Sequence, residues 1–221
     1  MSKRILIVEG NADVFFFDAL KRVFKIDSLA VSPPASVNRH NGKFHAISCL
    51  DIYCKQLLDR SIDCLALVVD ADTPLEDQER GLKVTLIAID KQLSKHGFHR
   101  TSLTGGGYVY KAKTKIGSFE VGVWIMPDCE NDGSLETFIK NQISKQSPQF
   151  EWFNKAHATN AALKEPLFDR NAHGLKADVS TWLAWQRYPG KGMQSVVGDD
   201  LIDLDCGVAL NLKNWMHTVF P

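Results

Sequence analysis

Short apolar runs alternate with amphipathic segments along the first two-thirds of the chain. Runs rich in apolar and β-branched residues occupy positions 4–8, 63–70 and 118–128. Segments with apolar residues at helical spacing lie between and after them, at 11–25, 45–60, 77–97 and 134–144. Strands that alternate with helices in this way are typical of a mostly parallel sheet flanked by helices. We therefore predict an α/β core over residues 1–145.

Two weaker patterns complete this core. The segment 28–36 predicts an edge strand, because Pro33 and Pro34 would stop it. Three consecutive glycines, at positions 105–107, are not followed by the Gly-Lys-Ser/Thr of a phosphate-binding loop, which favours a hairpin turn between two strands. No further strand is predicted beyond Lys145. Helical patterns, clearest at 176–186 and 210–220, predict a helical extension over residues 146–221 that packs on the core as one compact unit.

Composition limits the classes of partner and compartment. Lys and Arg number 26, as do Asp and Glu, so the formal net charge is zero. Nucleic acid would therefore have to be bound through a local patch or through metal ions, and not by bulk charge. The five cysteines lack Cys-x-x-Cys spacing, and no apolar run is long enough to span a membrane. We expect free thiols in the cytoplasm and no association with a membrane.

Three of the apolar strands end in a carboxylate. Glu9 follows the first, Asp70 ends the second with Asp72 two residues later, and Asp128 ends the third. Because the carboxyl ends of parallel strands share one edge of a sheet, we expect these side chains to converge. Crowded carboxylates need a cation, and Mg²⁺ prefers such hard oxygen ligands. Asp13, in the first helical turn after Glu9, is either a further ligand or a complement to the helix dipole.

Two sets of motifs resemble known families. VEGNAD (8–13) and DAD (70–72) are similar to the Toprim domain of topoisomerases, primases and small nucleases. GVWIMPDCENDGSLETFI (122–139) and KADVSTWLAWQRYPGKG (176–192) resemble an uncharacterised bacterial Toprim-like family that is distantly similar to the nuclease domains of the overcoming-lysogenization-defect group. This resemblance covers most of the chain. One departure is that Cys129 stands where the family has Asn, although Asp128 and Glu136 are retained.

The resemblance implies hydrolysis of phosphodiester bonds in DNA or RNA with Mg²⁺ or Mn²⁺. It assigns Glu9 the role of a metal ligand or a general acid/base, and it makes Asp70 and Asp72 metal ligands. Asp13 and Asp128 would be candidates for a second ion, since two ions can activate water and stabilise the leaving oxygen together.

Lysines supply the remaining candidate residues. The resemblance implies a lysine that stabilises charge in the transition state, for which Lys176 and Lys191 are the candidates. Lys111, Lys113 and Lys115 alternate, so they would share one face of a strand. They are interpreted either as a strip that binds nucleic-acid phosphates or as the solvated, charged edge of a hairpin.

Two other functions stay open on sequence grounds. One is a Toprim-like module that binds metal and nucleic acid, or a partner protein, without cutting. The other is a receiver domain of a signalling system, but receivers carry two adjacent acids after the first strand, and here Gly10 follows Glu9. Association of the chain with itself is neither indicated nor excluded.

Overall fold

Six strands and eight helices make up the described part of the chain, which in this computed structural model comprises residues 3–33, 42–74, 80–104 and 106–221. The strands are β1 (Arg4–Ile7), β2 (Leu29–Ser32), β3 (Cys64–Asp70), β4 (His99–Thr104), β5 (Gly107–Thr114) and β6 (Gly117–Met126). The helices are α1 (Asn11–Val23), α2 (Lys43–Leu58), α3 (Leu82–Ser94), α4 (Leu135–Gln142), α5 (Pro148–Ala161), α6 (Arg170–Ala184), α7 (Gln194–Gly198) and α8 (Gly207–Val219).

The strands form one sheet in the order β2-β1-β3-β6-β5-β4. The first four of these run parallel, whereas β5 and β4 are antiparallel to their neighbours. The predicted α/β class, the mostly parallel sheet and the edge position of β2 are thereby confirmed. The predicted hairpin joins β4 and β5, with Thr104 opposite Gly107, and Gly105 itself lies outside the described residues. A receiver domain has a parallel sheet in the order 2-1-3-4-5, so the antiparallel pair does not favour that alternative.

The sequences of β3 and β6 are almost continuously apolar because both faces of these strands are buried. Residues 65–69 of β3 and 121–126 of β6 are all buried, because helices or loops cover both faces of these central strands. The amphipathic helices bury one side only. In α1, for example, Phe16, Phe17 and Leu20 face the core. Among the described residues, no helix is long and apolar enough to cross a membrane.

The helical extension packs against the core at several places. Helix α7 lies on α1, α6 on α4, and α8 on the β6 and β5 side of the sheet. There the rings of Trp124 and Trp215 lie 5.6 Å apart between centroids. Close approach of α8 requires glycine beneath it, since a Cβ on Gly122 would lie 2.6 Å from a Val219 methyl group and one on Gly107 would lie 2.3 Å from the Trp215 ring.

The direction of the strands determines where a site can form. Because β1, β3 and β6 are parallel, their carboxyl ends lie at the same edge of the sheet, here called the carboxyl edge. Helix α1 begins a few residues after β1 ends, and α2, α3 and α4 begin after longer connections from β2, β3 and β6. The amino ends of four helices therefore point toward the edge at which the acidic strand ends meet.

The contact between α8 and the sheet yields a prediction on stability. Gly122→Ala would place a methyl group inside the contact distance of Val219, so α8 must shift or the strand must distort. We expect the free energy of unfolding to fall by about 1–3 kcal/mol, as measured by urea denaturation followed by circular dichroism. The matched control is Gly174→Ala in α6, where nothing lies within 4 Å of the new methyl group. That variant should gain roughly 0.5–1 kcal/mol, and equal stability of the two variants would contradict the packing described.

Candidate functional site: an acidic pocket at the carboxyl edge

Four carboxylates from three distant parts of the chain gather at the carboxyl edge. Glu9 follows β1, Asp13 lies in the first turn of α1, Asp70 ends β3, and Glu136 lies in the first turn of α4. The charges of Glu9, Asp13 and Glu136 each raise the pKa of Asp70. Of the strand-end carboxylates that were expected to converge, Glu9 and Asp70 do so, and Asp13 and Glu136 lie with them.

Backbone N–H groups hold one oxygen of each of three carboxylates. The amide of Asp70 donates to Glu9 Oε1 at 2.7 Å, and that of Gly10 donates to Asp13 Oδ2 at 3.0 Å. The amide of Leu135, the first residue of α4, donates to Asp70 Oδ1 at 2.9 Å. The second oxygens of Glu9 and Asp70 have no hydrogen-bond partner among the described residues. The two carboxylates are thus oriented while each leaves one oxygen for a ligand.

Asp72 lies beside this group and is paired with a buried lysine. Lys43 Nζ lies 2.6 Å from Asp72 Oδ2 and donates to the carbonyl of Ala71 at 3.0 Å. The backbone of Asp72 has φ of 63° and donates to the carbonyl of Gly133 at 2.7 Å. Asp72 therefore lies at the rim of the site with its charge already paired, whereas Lys43, which the sequence interpretation had not singled out, is 8% exposed.

Burial and mutual repulsion shift the pKa values of the acidic group. Burial raises the pKa of Glu9 to about 7, with Asp13 and Asp72 adding to the rise and the Asp70 amide and Lys43 opposing it. Burial and the charge of Glu136 raise the pKa of Asp13 to about 6. The pKa of Asp70 is raised well above its usual range, first by burial and then by its acidic neighbours. Shifts of this kind are common at functional sites.

A cavity of about 270 Å³ opens over these carboxylates, and we call it the acidic pocket. Helix α6 closes one side of it through Asn171, Ala172, His173, Leu175 and Lys176. The remaining lining comes from Glu9, Asp70, Asp72, Thr73, Arg80, Ser134, Glu136 and Thr137. The helical extension therefore completes a pocket whose floor belongs to the sheet.

The two candidate lysines of the tail motif have different surroundings. Lys176 lines the acidic pocket, and its charge lowers the pKa of Asp13. Lys191 instead forms an ion pair with Asp199, with Nζ 2.8 Å from Oδ1. Of the two, Lys176 is the lysine that faces the carboxylates.

Asp128 takes part in its own loop. Its Oδ1 accepts the amides of Glu130 and Asn131 at 3.0 and 2.8 Å, and its Oδ2 accepts the Asn131 side chain at 2.8 Å. Its predicted role as a metal ligand is untested, but both of its oxygens are occupied in this arrangement. Cys129 is buried, its thiol accepts the amide of Ile125, and burial raises its pKa to about 12. The departure from the family pattern at this position therefore faces the core and not the pocket.

The three alternating lysines lie far from the acidic pocket. Lys111 is in register with Glu120, with which it forms an ion pair, and Lys113 with Ser118. Asp70 is in register with Met126 at the other end of β6, and residues 120–126 span roughly 20 Å of strand. Lys111, Lys113 and Lys115 are exposed, so their contact with nucleic acid stays a prediction, but they form no part of the pocket.

Two residues, one in the lining of the pocket and one paired with Asp72, were given no role from the sequence. Glu136 was noted only as a retained motif residue, yet it is 8% exposed and accepts a hydrogen bond from Ser134 Oγ at 2.8 Å. Its position in the first turn of a helix that follows an acidic strand end was the available signal. Lys43 follows Gly42 in a polar stretch that shows no pattern, and only its tertiary contact with Asp72 reveals its role.

The carboxylate oxygens of the site are suited to a hard divalent cation, but the described residues do not form a complete metal-binding site. Among residues 3–33, 42–74, 80–104 and 106–221, no three His, Cys, Asp or Glu side chains are arranged to hold a metal ion. The available donors are carboxylate oxygens, which Mg²⁺ and Mn²⁺ prefer. The oxygens of Glu9 and Asp70 without partners are the ones placed to receive such an ion.

Comparison with known proteins identifies a family but no activity. The chain belongs to the family described as "Protein of unknown function (DUF3226)", whose model matches residues 3–221. No curated protein and no solved structure matches the chain.

The buried carboxylates predict a characteristic dependence of stability on pH. A carboxyl group whose pKa is higher in the folded state stabilises the fold while it is protonated, and that contribution is lost as pH rises through the folded pKa. In the presence of a metal chelator, the free energy of unfolding should fall as the pH rises from about 4.5 to about 7. These limits are the ordinary pKa of a glutamate and the raised pKa of Glu9. Glu9→Gln, which keeps the oxygen that accepts the Asp70 amide, should be more stable than wild type at pH 8 by roughly 2 kcal/mol and similar to it at pH 4.

Urea denaturation at the two pH values measures this difference. The control is Glu165→Gln at an exposed position, whose effect should stay within about 0.5 kcal/mol at both. If Glu9→Gln behaved like this control, the raised pKa that burial and repulsion give to Glu9 would be contradicted.

The Lys43–Asp72 pair yields a second prediction. In Lys43→Met, the Ala71 carbonyl and the Asp72 carboxylate lose their charged donor. Because Asp72 stays partly exposed, we expect a loss of about 2–3 kcal/mol. The matched control is Lys55→Met, which breaks an exposed ion pair with Asp51 and should cost less than about 1 kcal/mol. Thermal unfolding of the two variants measures these losses of stability. Equal losses would mean that the Lys43–Asp72 pair contributes no more than an exposed ion pair.

Proposed function

We propose that this member of the DUF3226 family is a nuclease that hydrolyses phosphodiester bonds in the acidic pocket with the help of Mg²⁺ or Mn²⁺. The observation that supports it most is that Glu9, Asp70 and Glu136 line one cavity together with Lys176, and that Asp13 lies close enough for its charge to act on Asp70. The resemblance of the VEGNAD and DAD motifs to Toprim domains supports the same chemistry. We also place the protein in the cytoplasm, in keeping with the absence of a disulfide among its five cysteines, all of which are described.

Crowded carboxylates have two ways to relieve their repulsion. They can take up protons, which the raised pKa values of Glu9 and Asp13 reflect, or they can bind a cation. We assign Glu9 and Asp70 as the principal metal ligands, because each has one oxygen fixed by an amide and one without a partner among the described residues. Asp13 and Glu136 would complete the acidic surroundings, and Asp72 would do so if Lys43 released it. The chemistry that Mg²⁺ or Mn²⁺ would supply here is Lewis-acid stabilisation of charge on a phosphoryl oxygen.

The protein's own groups have complementary roles in this proposal. Asp13, whose pKa is about 6, can accept or donate a proton near neutral pH and is a candidate general acid/base. Glu9, with a pKa of about 7 in the absence of metal, would take this role only while it is not a ligand. Lys176 carries a positive charge at the pocket wall, where it can stabilise negative charge that develops on the phosphate.

A second candidate function is a module that binds metal and nucleic acid without cutting. It is favoured by the lack, among the described residues, of three acidic side chains already arranged to hold an ion. A metal-binding test alone does not separate the two functions, whereas a cleavage test does.

The first prediction concerns the metal. Excess MnCl₂ should raise the melting temperature of the wild-type protein by roughly 4–8 °C, because an ion that binds only the folded state stabilises it. Asp70→Asn should lose most of this increase, whereas Glu165→Gln should keep it. Differential scanning fluorimetry gives the measurement, and an identical increase in Asp70→Asn would remove Asp70 from the site.

The second prediction concerns cleavage. Circular single-stranded DNA, supercoiled plasmid and RNA are incubated with the protein and Mg²⁺ or Mn²⁺. We expect at least one of them to be cut, with Glu9→Gln and Asp70→Asn losing on the order of 100-fold or more in rate and Lys176→Met losing on the order of 10- to 100-fold. Lys164→Met, at an exposed position outside the pocket, is the matched control. Cleavage that persists in Asp70→Asn would point to a contaminant, and no cleavage by a folded, Mn²⁺-binding protein would favour the non-cutting module.

A further inference from the structure

A second cavity, of about 320 Å³, adjoins the acidic pocket along α6, and we call it the side cavity. Glu136 and Lys176 line both cavities and so form a shared wall. Beyond that wall, the side cavity is bounded by α1, by the next turns of α6 and by the loop that precedes α7. The two cavities are therefore neighbours, and a ligand that occupied both would have to pass these two side chains.

The lining of the side cavity differs in character from that of its neighbour. Val179, Leu183 and Ala184 of α6 form one side, and Ala12 and Met193 lie across from them. Such a surface offers no counter-charge to a phosphate but suits the flat apolar faces of a nucleobase. The apolar side cavity thus lies next to the acidic pocket, and Glu136 and Lys176 form the wall between them.

The loop that lines the side cavity through Gly190, Gly192 and Met193 also carries an exposed aromatic ring, that of Tyr188, outside the lining itself. Gly190 and Gly192 line the cavity on either side of Lys191. Tyr188 is 46% exposed, with Lys191 Nζ at 4.3 Å and Arg187 Cζ at 5.2 Å from its ring centroid. Asp199 neutralises Lys191, whereas Arg187 has no acidic partner among the described residues. Proteins commonly bind single strands with exposed aromatic rings, on which bases stack, and with nearby cations, which contact the phosphates.

From this geometry we infer that the side cavity and the Arg187–Lys191 loop bind an unstacked nucleotide next to the phosphate in the acidic pocket, so that the substrate is single-stranded nucleic acid. The inference rests on the proposed nuclease function and adds the substrate class to it. In a duplex, the bases are paired and stacked, and one could enter the side cavity only after it had been flipped out at a cost in free energy. In a single strand the bases are already free to splay and stack on protein rings.

Binding and cleavage of matched substrates test the inference. A fluorescein-labelled single strand and the blunt duplex of the same sequence are titrated with the protein in Ca²⁺ at one fixed salt concentration, followed by fluorescence anisotropy, and both are then assayed for cleavage in Mg²⁺ and Mn²⁺. We expect the single strand to bind at least about tenfold more tightly than the duplex and to be cut faster.

Two test variants, each with its own control variant, locate the effect. Ser180→Phe, at an exposed position of α6 that lines the side cavity, should fill it and weaken single-strand binding by about tenfold. Asn154→Phe adds the same ring at an exposed position of α5 outside the side cavity and should bind like wild type. Tyr188→Ala should weaken single-strand binding by roughly five- to tenfold, and Tyr188→Phe, which keeps the ring, should restore it. Circular dichroism confirms that each variant is folded.

The outcomes separate this inference from the function on which it rests. Equal binding and cutting of both substrates, or a Ser180→Phe protein that behaves like Asn154→Phe, would overturn the single-strand preference and leave the nuclease intact. A single strand that is bound with the expected variant pattern but not cut would uphold the side cavity and remove the nuclease activity. If neither substrate is bound, both proposals fail, and the side cavity would then be assigned to a protein or a small molecule.

Discussion

Repulsion among carboxylates at the carboxyl edge is the constraint to which the surrounding structure responds. A parallel sheet brings the ends of β1 and β3 together whatever residues they carry, and here they carry Glu9 and Asp70. The fold offsets part of this charge with the amino ends of helices: the first amide of α4, that of Leu135, binds Asp70. Lys43, at the start of α2, offsets more by pairing with Asp72. Burial, and then the repulsion that these groups leave uncompensated, raises the pKa values of Glu9 and Asp13, and a bound cation would offset both effects.

Those parts of the fold and site that depend on local pattern could be predicted from the sequence. Strands β3 and β6 are buried on both faces, so their apolar runs are long and unambiguous. Once the strands are parallel, the meeting of Glu9 and Asp70 follows from topology alone, without knowledge of any side-chain contact. Asp13 follows in the same way, because α1 begins at the same edge.

Features that depend on the direction of a single side chain could not be predicted. Asp128 also follows a parallel strand, but its oxygens are taken by the amides and the side chain of its own loop, an interaction that the letters Asp-Cys-Glu-Asn do not reveal. Glu136, a few residues later, faces the other carboxylates in its place. Lys111 and Lys113 lie away from the site for a different reason. Strand β5 is antiparallel to β6, which places these lysines at the opposite end of β6.

The helical extension contributes to the site more than a cover for the sheet. Had α6 only buried the core, its exposed side would be expected to carry dispersed charges; instead Lys176 faces the carboxylates, and apolar residues one and two turns later line the side cavity. The carboxylates alone would repel any polyanion, since Glu9, Asp13, Asp70 and Glu136 are all acidic. If the proposed function is correct, a positive charge and an apolar space, both supplied by the same helix at the border of the acidic pocket, would give a nucleic-acid strand surfaces to bind on either side of its phosphate. On this basis, the sheet and the extension are two halves of one site, and neither would be sufficient without the other.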